Sequence, residues 1–168
     1  CKARTVSFSQ LYGGKITAAL SRQHPRDLFD CKYMDINSFE DVKDGFMLCL
    51  LGSDKPIIES LQPNEIDQTD ALEKQFEGMS DIAFSYEDYK QARLQLIKMV
   101  QDDLTVDDKK FLLSFEEGSP DWSLCSAGDL SNYPSVQWKL LNIKNLKEHN
   151  IQKYKQGIKK LNDFLFLK

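Results

Sequence analysis

The chain has no CxxC pair. Its cysteines stand alone at Cys1, Cys31, Cys49 and Cys125, and its two histidines, His24 and His149, lie far apart. The ligand spacing of a structural zinc site is therefore missing, and free thiols in a reducing cytoplasm are expected. No apolar run approaches the roughly 18 residues that cross a bilayer. The longest, Phe46-Met47-Leu48-Cys49-Leu50-Leu51, reads as a buried helix, and no membrane association is expected. The basic start and apolar middle of a signal peptide are absent. The chain begins with cysteine and not methionine, which we read as the mark of a fragment or trimmed chain. A lipidated cysteine would be followed by a tether, whereas Thr5-Val6-Ser7-Phe8 reads as a short strand. Acids are missing from the first 26 residues, which carry Lys2, Arg4, Lys15, Arg22 and Arg26, and from Lys139 onward lysines far outnumber Glu148 and Asp163. The net charge of −4 thus covers an acidic middle between two basic ends, which suits a polyanion partner where the ends meet and otherwise describes solvated helix faces.

What is present is an ordinary globular balance, with 168 residues, 41% hydrophobic and 29% charged, enough for one domain with a real core. After the strand, Ser9 is placed to cap a helix with Leu11, Ile16, Ala19 and Leu20 on its apolar side, ending near Gln23 because Pro25 disfavours helical angles in the residue before it. Gly13-Gly14 weakens that helix and makes sense where another backbone or a ligand comes close. Pro25 opens a second helix to about Asp35, and Ser38 starts a third with Val42, Phe46, Cys49 and Leu50. Leu72 and Phe76 suggest a helix up to Gly78. Ser85 with Asp88, and Thr105 with Asp108, mark the starts of two more, the second stopped by Gly118. Pro134 and Asn150 open the last two. The expectation is a mainly α, single domain over 1–168. In it, 1–35 form the strand and a helix–Pro–helix corner contributing to an active-site cleft, and 36–168 form a C-terminal helical bundle.

The corner gathers charge. Lys15 and Arg22 lie two turns apart on one helix. Arg26 and Asp30 lie one turn apart on the next and are placed to pair, and Asp27 falls in that helix's first turn, where the dipole favours a carboxylate. In a structural reading, Arg26 and Asp30 brace the corner and Asp27 completes a cap. In a functional reading, Lys15 and Arg22 hold nucleotide phosphates while Asp27 orients or deprotonates an attacking hydroxyl.

The string Gly13-Gly14-Lys15-Ile16-Thr17-Ala18-Ala19-Leu20-Ser21-Arg22-Gln23-His24-Pro25-Arg26-Asp27-Leu28-Phe29-Asp30 resembles the lysine-to-RDxxD segment of AbiEii/AbiGii-type toxins. The later stretches Phe111–Phe115, Gly118, Pro120–Leu124 and Pro134–Asn142 resemble that family's C-terminal region. The resemblance implies the C-terminal part of a polymerase β-like nucleotidyltransferase of a toxin–antitoxin, phage abortive-infection type, using Mg²⁺ and a nucleoside triphosphate. Some members act on tRNA 3′ ends, and a cognate antitoxin is the implied partner. By motif position it makes Lys15 and Asp27 catalytic. Lys15, Arg22 and Arg26 become nucleotide-binding, and Asp30 and His24 become supports.

The superfamily's signature, a Gly-Ser turn followed by a strand bearing the DxD metal motif, does not occur. Asp102-Asp103 and Asp107-Asp108 are adjacent pairs, and Asp41-Val42-Lys43-Asp44 has the wrong spacing. Two carboxylates at alternate strand positions are what share metal ions. The expectation is therefore that the metal motif lies before Cys1, that no metal or nucleotide is held by these residues alone, and that they do not catalyse transfer. The competing expectation is a non-catalytic helical module that binds RNA or the antitoxin. Of the remaining candidates, His24 is read as positioning the corner or facing solvent. Trp138 is read as core with Val136 and Leu141. Trp122 and Trp138 could alternatively stack on an RNA base, and Lys153, Lys155, Lys159 and Lys160 as lysines meeting an RNA backbone or lining a wet helix face.

Overall fold

The computed structural model describes residues 5–167. Among them the regular structure is helical throughout: α1 (Phe8–Arg22), α2 (Pro25–Lys32), α3 (Lys43–Leu51), α4 (Ile57–Leu61), α5 (Thr69–Ala71), α6 (Tyr86–Asp103), α7 (Val106–Glu116), α8 (Pro134–His149) and α9 (Ile151–Phe166), with short 3₁₀ turns at Phe39–Asp41 and Trp122–Leu124. The expected strand at residues 5–8 does not form. Ser7 and Gln10 close a reciprocal capping box instead, and the helix starts at Phe8. A local cap that satisfies two helix-end groups wins over the weak strand propensity of four residues. Ser9, expected as the cap, turns to α3 and accepts from Gly45 N at 2.8 Å. The helix α2 stops at Lys32, three residues short of expectation.

Helix α1 lies against α3 along the most extensive contact between any two elements. Glycine on both sides makes this possible. A Cβ on Gly13 would stand 2.1 Å from Phe46 N, and one on Gly45 would stand 2.0 Å from Ser9 O. The close approach anticipated at Gly13 is therefore that of a second backbone. The core wraps this seam in one cluster that takes in Ile16, Ala19 and Leu20 of α1, Phe46, Met47, Leu50 and Leu51 of α3, and Phe111, Leu112 and Phe115 of α7. The apolar run at 46–51 is thus the buried helix expected of it. Capping boxes start α6 at Ser85 and Asp88 and α7 at Thr105 and Asp108, as the spacing predicts.

Two lysines are buried with partners. Lys43 reaches Asp108 at 3.3 Å, both nearly inaccessible. Lys139 donates to Ser53 O at 2.8 Å and to Lys55 O, clamping the turn after α3. Burial pulls the Lys139 ammonium below its usual range. Trp138 departs from expectation and is 63% exposed on α8. The buried stripe of that helix is Val136, Lys139 and Ile143, which leaves Trp138 and Leu141 on the opposite side. Trp122 packs on Phe111 and Phe115 instead. Cys31, Cys49 and Cys125 are free thiols.

Candidate functional site: the α1–α2 corner

The corner turns on Gln23, a non-glycine residue held in the left-handed region at φ 52. Such a residue needs its surroundings to hold it. Gln23 is buried, its side-chain amide donates to Asn64 O at 2.6 Å, and its carbonyl oxygen accepts from Arg93 Nε at 2.6 Å. The carbonyl ends of α1 are taken up one by one by other elements. Lys55 Nζ donates to Ser21 O, Gln68 Nε2 to Arg22 O and Tyr89 O–H to Gln23 O. The free carbonyls of a helix terminus are thereby satisfied in a partly buried position.

His24 then caps α2 by accepting from Arg26 N at Nδ1, 3.2 Å. With Nδ1 an acceptor, the ring proton belongs on Nε2, which faces Gln75 Oε1 at 3.2 Å. Both ring nitrogens are engaged, so His24 has no free lone pair with which to act as a base. The ring thus joins the start of α2 to Gln75.

The two helices run back along each other, and the charges cross-pair by distance from the turn. Arg22, just before the corner, reaches Asp27 at 3.1 Å. Lys15, farther back, reaches Asp30 at 2.5 Å. The expected Arg26–Asp30 pair does not form. Arg26 is exposed, its side chain makes no ion pair among the described residues, and the α1 cations lie opposite both carboxylates. The five charged residues singled out from sequence are thus gathered in one corner, with Arg26 on its outer side. Lys15 and Asp30 keep 38% and 39% of their side-chain exposure, while Asp27 keeps 13%. Behind them, burial pushes the Cys31 thiol up to about 12, with the Asp30 and Asp27 carboxylates adding to the rise, which disfavours the reactive thiolate.

Chemically the corner offers cations that can exchange a carboxylate for a phosphate oxygen, plus one exposed unpaired guanidinium. It does not offer a metal site. Each carboxylate already faces a cation, and among the described residues no group of three or more His, Cys, Asp or Glu side chains is placed to hold a metal ion. The donor set does not fit Mg²⁺. Sequence reasoning missed Gln23, Tyr89 and Arg93, which fix the corner's geometry. Nothing local marks them, since their partners lie 41 to 70 residues away.

A family model described as "Nucleotidyl transferase AbiEii toxin, Type IV TA system" matches residues 1–142. No curated protein and no solved structure matches the chain. No helix among the described residues is long and apolar enough to cross a membrane.

Proposed function

Since the chain belongs to the AbiEii nucleotidyl transferase toxin family, we propose that its α1–α2 corner lines the phosphate side of a nucleotide-transfer site. A toxin–antitoxin nucleotidyltransferase-type function and an antitoxin partner follow from membership. The finer reading is that Lys15 and Arg22, with Arg26 beside them, neutralise the triphosphate of an NTP, while Asp27 takes part in orienting the acceptor hydroxyl. An RNA end such as that of a tRNA is the acceptor. The observation that carries this reading is the partly exposed, cross-paired set of Lys15–Asp30 and Arg22–Asp27 on a corner held by three hydrogen bonds at Gln23. A rigid support for exchangeable cations is what phosphoryl-group positioning needs.

No Asp-x-Asp pair occurs in the chain, so these 168 residues are proposed to be inactive alone. The Mg²⁺ of the reaction is held by carboxylates they do not supply. The test is transfer of a radiolabelled nucleotide to RNA by the 168-residue chain and by the complete gene product, each as wild type, Lys15→Ala and Asp27→Ala. Activity in the complete product, lost in both variants, supports the reading. Activity untouched by either variant overturns the site.

A second reading is a non-catalytic module that binds RNA or the antitoxin, and one observation favours it. Lys15 and Arg22 are already neutralised by Asp30 and Asp27, while an unpaired tryptophan, Trp138, stands on a basic helix pair. RNA binding that survives Lys15→Ala and fails with Trp138→Ala selects that reading.

A further inference from the structure

Beside α2 the chain makes an unusual turn. The helix begun by α5 widens into a π-helical turn over Leu72–Phe76, where Glu77 N donates to Leu72 O at 3.1 Å. Gly78 follows in the left-handed region at φ 79 and swings the chain away. The result is a surface hollow of about 330 Å³ between the wide turn and the returning strand of loop, floored by Leu72, Phe76 and Phe84 and rimmed by Glu73, Glu77 and Ile82. Phe76 and Phe84 form an aromatic group with Phe29 of α2 at ring separations of 5.1 to 5.5 Å, so the floor is rigid. Beside it, Met79 and Ile82 leave 57% and 51% of their surface in water. Apolar side chains grouped around a hollow, unlike single exposed ones, mark a binding surface.

The charge around the hollow selects its occupant. Residues 64–88 hold eight acids and Lys74 as the sole cation. Lys74 is spent on Asp70. Asp88 is paired with Lys32 and Glu87 with Lys90. Glu65, Glu73, Glu77 and Asp81 have no cation among the described residues. Like charge repels nucleic acid and anionic lipid from this face. A small polycation would satisfy the acids but leave Met79, Ile82 and the aromatic floor wet. We propose that the hollow is a docking site for a cationic protein segment, one that seats a bulky apolar side chain on Phe76 and Phe84 and sets lysines or arginines against Glu73, Glu77 and Asp81. This resembles helix- or strand-in-groove recognition, in which apolar anchors give affinity and rim charges give specificity and on-rate. The proposal does not depend on how the α1–α2 corner is used.

The experiment is selection of a phage-displayed random 12-residue library on the immobilised full chain, followed by fluorescence anisotropy with the enriched peptides. Each is measured against wild type, the double variant Glu73→Lys/Glu77→Lys, and Ile82→Ser. All the substituted side chains are exposed, and thermal melts confirm that the variants fold. The expected result is enrichment of sequences combining cations with a bulky apolar residue. Their affinity should fall about tenfold or more in the charge-reversed variant and several-fold in Ile82→Ser, and should decline with salt. Several outcomes overturn the proposal. They are no enrichment, enrichment of acidic peptides, binding indifferent to both variants, or equal binding by a polylysine peptide lacking apolar residues, which would show a solvated acidic face only.

Discussion

Lys15 Nζ lies 2.5 Å from Asp30 Oδ2 across the α1–α2 hairpin, and both side chains remain more than a third exposed. A pair so open to solvent is screened too well to matter much for folding, since exposed ion pairs contribute about 0–1 kcal/mol. A double-mutant cycle with Lys15→Ala and Asp30→Ala, read by urea denaturation, is therefore expected to give a coupling below about 1 kcal/mol. The same Lys15→Ala change is expected to lower nucleotide transfer by the complete gene product by about 100-fold or more, the usual loss on removing a group that stabilises phosphoryl charge. A large coupling with unchanged transfer would make the pair a structural brace.

Gly13→Ala tests the seam on which the corner rests. The added methyl would meet the backbone of Phe46 at 2.1 Å, and backbone cannot rotate away as a side chain can. We expect a loss of about 2–3 kcal/mol, measured by chemical denaturation. Gly14→Ala, whose methyl would meet Cys49 Sγ at an ordinary 3.6 Å, is expected to be neutral or stabilising by up to about 1 kcal/mol. Equal effects at the two positions would contradict the close packing of α1 on α3.

Gln23→Ala removes the amide that joins the corner to Asn64 and Arg93. It leaves the buried Arg93 with Pro63 O as its remaining partner, at 2.7 Å. The left-handed backbone is as strained with glutamine as with alanine, so the cost comes from the buried charged donor left unsatisfied, about 2–3 kcal/mol. Gln23→Gly relieves the backbone but not the lost hydrogen bonds, so it should fall between the wild type and the alanine variant.

The corner illustrates how far the sequence could be read. Its residues were identifiable from the Gly13–Asp30 string, and the capping boxes at Ser85 and Thr105 follow from spacing alone, because both are local. Pairing was not legible in the same way. Within one helix Arg26 and Asp30 are neighbours, and only the hairpin, whose angle is set by Gln23 and its distant partners, brings Lys15 to Asp30 and Arg22 to Asp27. Trp138 was misplaced for a related reason. Val136, Trp138, Leu141 and Ile143 look like one apolar string, but helical period separates Val136 and Ile143 from Trp138 and Leu141. The inner position between them goes to Lys139, whose ammonium is satisfied by the carbonyls of Ser53 and Lys55. A buried lysine is invisible to a hydrophobic pattern until those acceptors are known.

Acid should loosen α2 from α6. Asp88 accepts from Lys32 at 2.8 Å and from Ser85, and these hydrogen bonds, that of Lys32 first, hold its carboxyl well below the usual range. A folded-state pKa below the unfolded value means that the stabilisation is present above the unfolded value of about 3.9 and is lost as pH falls toward and through the folded one. Asp88→Asn is therefore expected to lower Tm at neutral pH, with the difference from wild type shrinking progressively below about pH 4. A difference that stayed constant through that range would assign the effect to the cap hydrogen bonds and not to charge.

Trp138 provides the sharpest test of an RNA-binding face, because stability and binding should respond in opposite ways. Its side chain is 63% exposed, so Trp138→Ala is expected to change unfolding free energy by no more than about 0.5 kcal/mol, as surface substitutions do. From Pro134 onward the chain carries eight lysines against Glu148 and Asp163, which supplies the cationic surround that a base-stacking platform needs. Loss of one stacked base corresponds to about 1–3 kcal/mol, or roughly 5- to 150-fold in affinity. The exposed indole also reports on itself. Titration of single-stranded RNA should quench its fluorescence, and the quench should vanish in Trp138→Ala while Trp122, packed against Phe111 and Phe115, stays silent. Lys144→Glu with Lys153→Glu should then flatten the dependence of affinity on salt, as loss of phosphate contacts does. Unquenched fluorescence with unchanged affinity in both variants would remove RNA from this face and leave Trp138 and Leu141 as a contact for a protein.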